Sequence, residues 1–127
     1  MKEEFLHHIW KHRLFTSYTI LDKEGKNIEI IDVGYHNHDA GPDFVNAKIK
    51  IGDTLWAGNV EIHIQSSDWN AHKHAENTAY NSVILHVVTE NNADVFTSDG
   101  RQIPQIQLLF PKSLSEQWEK LATSTNK

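Results

Sequence analysis

The stretch Ser82-Val-Ile-Leu-His-Val-Val-Thr89 constrains the fold more than any other part of the chain. It is a near-continuous apolar run rich in β-branched residues, the pattern of a strand buried on both faces. Such a strand belongs inside a sheet, and the rest of the chain supplies neighbours for it. Tyr18 to Asp22 and Asn27 to Val33 read as a hairpin around Lys23-Glu24-Gly25-Lys26. Asp43 to Ile51 reads as the next strand, entered through Pro42, where no ladder N–H is yet required. Gly52-Asp53 turns the chain into Leu55 to Gln65. Ala93 to Ser98 and Gln102 to Phe110 read as a second hairpin around Asp99-Gly100, with Pro104 demoting its last strand to a sheet edge.

Three segments carry helical signals. Lys2 to Phe15 places Phe5 and Ile9 in one apolar row and Leu6, Trp10 and Leu14 in another, with acids in the first turn and bases in the last. A carboxylate of this helix, Glu4 for instance, is a candidate to reach a site on the sheet. Ser66-Ser67-Asp68 is a dense N-cap signal before a short helix over Trp69 to Tyr80. Leu114 to Ala122 is a final short amphipathic helix, and Thr123 to Lys127 is expected to fray. The sum is an α/β (α+β) domain with a central mixed β-sheet, an N-terminal helix, a short middle helix and a C-terminal hairpin.

The 127 residues suit a single domain, 1–127, with one modest core. The chain lacks cysteine, which excludes disulfide staples and thiolate metal sites. No apolar run approaches the roughly 20 residues that span a bilayer, so no membrane partner is expected. Met1 to Phe5 is charged rather than signal-like, and a cytoplasmic protein is the default expectation. A formal charge of -5 counts against a large nucleic-acid footprint. It leaves room for an enzyme that meets phosphate through a metal ion. Composition leaves the oligomeric state open.

The chemistry concentrates between Gly41 and His63. Asp43 stands at the mouth of one strand and Glu61-Ile62-His63 lies on the next. In that second strand Val60, Ile62 and Ile64 share one face, while Glu61, His63 and Gln65 share the other. Two carboxylates on adjacent strands lie about 5 Å apart and can share Mg²⁺ or Mn²⁺. Asp43 and Glu61 are therefore the candidate metal ligands, and His63 the base that orients a metal-bound water. The same residues also fit a plainer role, with Asp43 capping a turn and Glu61 and His63 facing solvent. Glu76 and Tyr80, one helical turn apart, are candidates for substrate contact together with Gln65. Two His-x-His pairs, His36 with His38 and His72 with His74, raise a histidine-rich metal-binding β domain as an alternative. His72 and His74 fall on an expected helix, where residues two apart face different ways, which argues against that pair. His86, inside the apolar strand, reads as a hydrogen-bonded core histidine. Trp56, Trp69 and Trp118 suggest a third possibility, a non-catalytic binding or assembly module with an aromatic surface.

The blocks G-P-D-F-V-N-A-K-I, W-A-G-N-V-E-I-H, S-S-D-W-N-A-H-K-H and A-Y-N-S-V-I-L-H-V-V resemble the signatures of a bacterial domain-of-unknown-function family frequent in Bacteroidetes. The resemblance runs from about Phe5 to Phe110. It implies that the chain is the N-terminal piece, or a short relative, of a longer protein, and it brings no mechanism. At the level of fold the chain also resembles the PD-(D/E)XK nuclease superfamily, whose core runs helix, three strands, helix, strand. Pro42-Asp43 and Glu61-Ile62-His63 stand where that motif has its acids. Glu76-x-x-x-Tyr80 is similar to the Gln-x-x-x-Tyr element of the RecB-like branch. The resemblance implies a restriction-endonuclease-like core and phosphodiester hydrolysis on nucleic acid. His63 departs from it by standing in place of a lysine, and Glu76 by standing in place of a glutamine.

Overall fold

The computed structural model describes residues 1–22 and 24–125, the side chains of 122–125 excepted. Helix α1 (Glu3–Lys11) leads into β1 (Ser17–Ile20), β2 (Ile28–Asp32), β3 (Tyr35–His36), β4 (Phe44–Ile51) and β5 (Thr54–Gln65). Helix α2 (Asp68–Ala71) and two single 3₁₀ turns, His74–Glu76 and Thr78–Tyr80, precede β6 (Val83–Glu90). Strand β7 (Gln105–Leu109) and helix α3 (Lys112–Thr125) complete the chain. Among the described residues no helix is long and apolar enough to cross a membrane.

The strands form one mixed sheet in the order β1-β7-β6-β5-β4-β2, with β3 also paired to β4. Strand β6 is parallel to both β5 and β7, and its residues from Val83 to Val88 are all buried. The apolar run thus lies inside the sheet, as its composition demands. Parallel neighbours need crossovers, and both crossovers, 66–82 and 91–104, fold back over the same face. They bury Trp69, Tyr80, Val95 and Ile103 there with Val83. The Trp69 indole N–H donates to Phe96 O at 3.0 Å and ties the two crossovers together. The opposite face is filled by Phe5, Leu6, Ile9 and Trp10 of α1, packed with Phe44, Ile49, Val60, Ile62, Leu85 and Val87. Trp118 of α3 closes over Phe5.

The expected hairpin between 18–22 and 27–33 does not form. Strand β1 pairs with β7 and β2 pairs with β4, at opposite ends of the strand order. Five steps across a flat sheet span roughly 24 Å at the usual strand spacing. Yet the Tyr18 hydroxyl donates to Ile28 O at 2.7 Å. The sheet must therefore curl until its two edges meet, and the α1 side chains fill the space it wraps. The second expected hairpin shrinks to one bridge, Phe96 with Gln102. Pro104 lies just ahead of β7, so that strand pairs on both sides and is no edge. Helix α1 stops at Lys11 rather than Phe15 because Arg13 takes a left-handed conformation, φ 52°. Helix α3 runs to Thr125, past the expected start of fraying at Thr123, and residues 126–127 lie outside the described residues.

A bulge in β4 decides which side chains face which. Ala47 pairs with Gly58 and Phe44 with Val60, so β4 advances three residues while β5 advances two. The extra residue is accommodated at Asn46, which is left-handed at φ 58°, and its N–H bonds Asn59 Oδ1 at 3.3 Å. Asparagine tolerates that conformation better than most residues. Continuing the shifted register sets Asp43 opposite Glu61. Without the extra residue Phe44 would oppose Glu61, and Asp43 would turn toward the core face.

Candidate metal centre

Asp43 and Glu61 each grip the other's strand. The Asp43 N–H donates to Glu61 Oε1 at 3.1 Å, and the Ile62 N–H donates to Asp43 Oδ2 at 2.8 Å. Both acids are largely withdrawn from water; Glu61 is only 4% exposed. Burial, then the Asp43 charge beside it, pushes the Glu61 carboxyl up to about 10. Burial also works against the charge on Asp43, but contacts with His7, Glu61 and the Ile62 N–H outweigh it and hold that carboxyl low. At neutral pH the metal-free pair therefore carries one proton, with Asp43 ionised.

Glu61 Oε2 turns toward histidines. It lies 2.8 Å from His74 Nε2 and 3.4 Å from His63 Nε2, and His63 Nε2 lies 3.2 Å from His72 Nδ1. His63, His72 and His74 offer one nitrogen each within 4.8 Å of one another. Donors about 2.0–2.1 Å from a tetrahedral ion lie roughly 3.3 Å apart, close to these spacings. His72 is exposed, and it marks the side on which this cluster meets solvent.

A buried relay fixes the protonation of His63. The Gln105 amide N–H donates to Ala93 O at 2.9 Å, which turns Gln105 Oε1 toward His86 Nδ1 at 2.7 Å. An amide oxygen only accepts, so His86 Nδ1 carries the hydrogen and His86 Nε2 bears a lone pair. His63 Nδ1, 2.7 Å from His86 Nε2, must then donate. The free lone pair of His63 is left on Nε2, aimed at His72 and Glu61. Burial lowers His63 to about 2 and His86 to about 4, so both rings are neutral at pH 7. His74 is lowered to about 4, again chiefly by burial, and its ring stacks on Tyr80 at 3.6 Å between centroids.

A family model described as protein of unknown function (DUF2851) matches residues 3–127. The chain belongs to that family. No curated protein and no solved structure matches it. The DUF2851 match spans the helix, the bulged strand and every histidine of the cluster.

Of the site residues expected from the sequence, Asp43, Glu61 and His63 do meet in this DUF2851 domain. Gln65 lies further out on β5, where its amide donates to Glu90 Oε2 at 3.0 Å. Glu76 is exposed, and the helix expected to set it beside Tyr80 is absent. Lys73, left-handed at φ 60°, breaks that segment into α2 and two 3₁₀ turns. The same break corrects the expectation that His72 and His74 diverge: a reversed backbone between them turns both rings onto His63. His36 touches His38 and His7, and neither His36 nor His38 joins this cluster. Trp56, Trp69 and Trp118 form no common surface, since Trp69 is fully buried and Trp118 packs on α1. Sequence reasoning missed His7, and it names Glu4, which is exposed, as the helix carboxylate for the site, where Glu3 stands closer. His7 Nε2 lies 3.4 Å from Asp43 Oδ2, and the Glu3 carboxyl, raised by burial first, also feels Asp43. Their spacing of four along α1 puts them on one helix face and was the available signal.

Proposed function

We propose that the chain is a divalent-metal-dependent hydrolase domain whose chemistry is phosphodiester cleavage on nucleic acid. The observation that carries this reading is the convergence of Glu61 Oε2, His63 Nε2, His72 Nδ1 and His74 Nε2, with the His63 lone pair held inward by His86 and Gln105. Imidazoles suit zinc, whereas magnesium and manganese prefer oxygen ligands. The donor set therefore favours Zn over the expected Mg or Mn. Bound there, such an ion supplies Lewis acidity to a phosphoryl oxygen and makes water acidic near neutral pH.

In this reading His63 is a ligand rather than the water-orienting base. The base is Asp43, which stays ionised beside Glu61 and accepts the proton of the attacking water. Tyr80 holds the His74 ring by stacking, and Gln65 and Glu76 are left for contacts at the exposed rim. The nuclease chemistry draws its support from the order of elements and from two acids on the paired strands β4 and β5. The net charge of -5 implies that substrate is held through the ion rather than by a basic surface.

A second reading, a non-catalytic metal-binding domain, is favoured by burial: His63 is 1% and His74 7% exposed, which narrows the approach for a polymer. Titration with Mn²⁺ or Zn²⁺ followed by tryptophan fluorescence tests the shared part. Trp69 reports, its ring lying 5.2 Å from His74 and 5.3 Å from His86. Saturable quenching, lost in His63→Gln, is the expected result, and no response from the wild type refutes both readings. Cleavage of a single-stranded oligonucleotide by the loaded protein, lost in Asp43→Asn with quenching kept, supports the hydrolase. Quenching with no cleavage of single- or double-stranded DNA or RNA leaves only the binding domain.

A further inference from the structure

We propose that the centre takes two divalent cations side by side, the second held by His7 and Asp43, with Glu61 shared between them. This rests on the metal-centre reading above and adds a position to it, in which Asp43 serves as a ligand rather than as the free base.

The donor inventory exceeds what one tetrahedral ion uses. His63, His72 and His74 make three ligands, and Glu61 Oε2 stands beside His63 and His74 as a fourth donor. Asp43 and His7 adjoin them on the far side of Glu61. The two oxygens of Glu61 divide, Oε2 toward His63 and His74, Oε1 toward the backbone N–H of Asp43. A carboxylate so placed spans two ions, which in two-metal hydrolases lie about 3.5–4 Å apart.

His7 supplies the independent observation. Its Nε2 is buried and has no hydrogen-bond partner among the described residues. It stands 3.4 Å from Asp43 Oδ2, outside hydrogen-bond geometry. That spacing is the edge expected of two donors on one ion with bonds of roughly 2.0–2.1 Å. Glu3 sits one turn earlier on the same face of α1, with its carboxyl in the field of Asp43, His7 and His72. Helix α1 thus presents an imidazole to the second position, while the strands and the first crossover form the first. The alternative is a simple ion pair between a protonated His7 and Asp43, and it requires no second ion.

Stoichiometry separates these. The full chain is stripped with chelator, loaded with Mn²⁺ or Zn²⁺ and desalted, and metal per chain is measured by mass spectrometry and by calorimetric titration. Two ions per wild-type chain are expected, falling to one in His7→Ala and in the milder His7→Gln. Two Mn²⁺ ions give an exchange-coupled paramagnetic resonance spectrum, which both variants convert to that of an isolated ion. Circular dichroism verifies that the variants fold. A variant that does not fold is set aside, and the wild-type count and spectrum then decide alone. One ion in the wild type overturns the second position and leaves the mononuclear centre standing. Two ions retained in folded His7 variants overturn the assignment of His7. No ion at all overturns the metal-centre reading itself.

Discussion

Replacing Glu61 by glutamine should make the metal-free protein more stable, although Glu61 is placed here as a ligand. The folded chain holds this carboxyl protonated to about 10, through burial first and then the Asp43 charge, against an ordinary value of 4.5. Between those values the unfolded chain releases a proton that the folded chain retains. Stability is therefore intact below pH 4.5 and declines as pH rises toward 10, by about 1.4 kcal/mol per pH unit. Three units separate pH 7.5 from 4.5, which sets an upper limit of about 4 kcal/mol. Asp43 is not fully buried, so solvent screening trims this, and about 2 kcal/mol is the working figure. Glutamine keeps the shape, an oxygen for the Asp43 N–H and a donor for His74 Nε2. Urea unfolding in chelator at several pH values measures the difference. Glu61→Gln should exceed wild type by about 2 kcal/mol at pH 7.5 and match it near pH 4.5. With metal at 100 times its Kd the order should reverse, since wild type gains about 2.7 kcal/mol and the variant gains little. A glutamine variant less stable than wild type at pH 7.5 without metal, or a difference independent of pH, refutes the reasoning.

Gln105→Leu leaves His86 Nδ1 without its acceptor, and should cost about 1–3 kcal/mol of stability and weaken metal binding about 10–100-fold, read by urea unfolding and by titration. Asn46→Val forces a β-branched residue into the left-handed bulge and should cost about 1–2 kcal/mol in urea unfolding, whereas Asn46→Gly should cost little. Buried neutral His63, His74 and His86 lie below their ordinary 6.5, so their contribution is whole above pH 6.5 and is lost as pH falls toward 4. The metal-free protein should lose stability as pH falls across that window, the three rings titrating as a coupled set, seen as a falling melting temperature. Tyr18→Phe removes the hydroxyl that joins the sheet edges and should cost about 1 kcal/mol by thermal unfolding.

The central strand, the Glu61-Ile62-His63 face and the first helix were legible because each carries a clean period or an unbroken apolar run. Pairing was not. Strands β1 and β2 follow one another across a glycine turn, yet they occupy opposite edges of a sheet that closes on itself. Nothing local in either strand encodes that closure, which depends on α1 filling the concavity. The bulge did leave a trace: Ala47, Ile49 and Ile51 alternate toward the core, while Phe44 breaks their parity.

The acids of the site were legible and its histidines only partly so. Asp43 and Glu61 oppose each other as cross-strand spacing suggested. Helical geometry argues against the His72 and His74 pair, and one left-handed residue, Lys73, replaces that geometry. A lysine in that conformation carries no sequence mark of the kind a glycine gives. His86 reads as a core histidine and is one; its role in orienting His63 depends on Gln105, nineteen residues away across the β6–β7 pair.

The most direct test of the metal centre is an anomalous difference map from a crystal of the chain grown with zinc. The account predicts a peak bonded to His63 Nε2, His72 Nδ1 and His74 Nε2 at about 2.0–2.1 Å, with Glu61 completing the set. Density for these three rings in mutual contact, at full zinc saturation and with no metal peak among them, would contradict it.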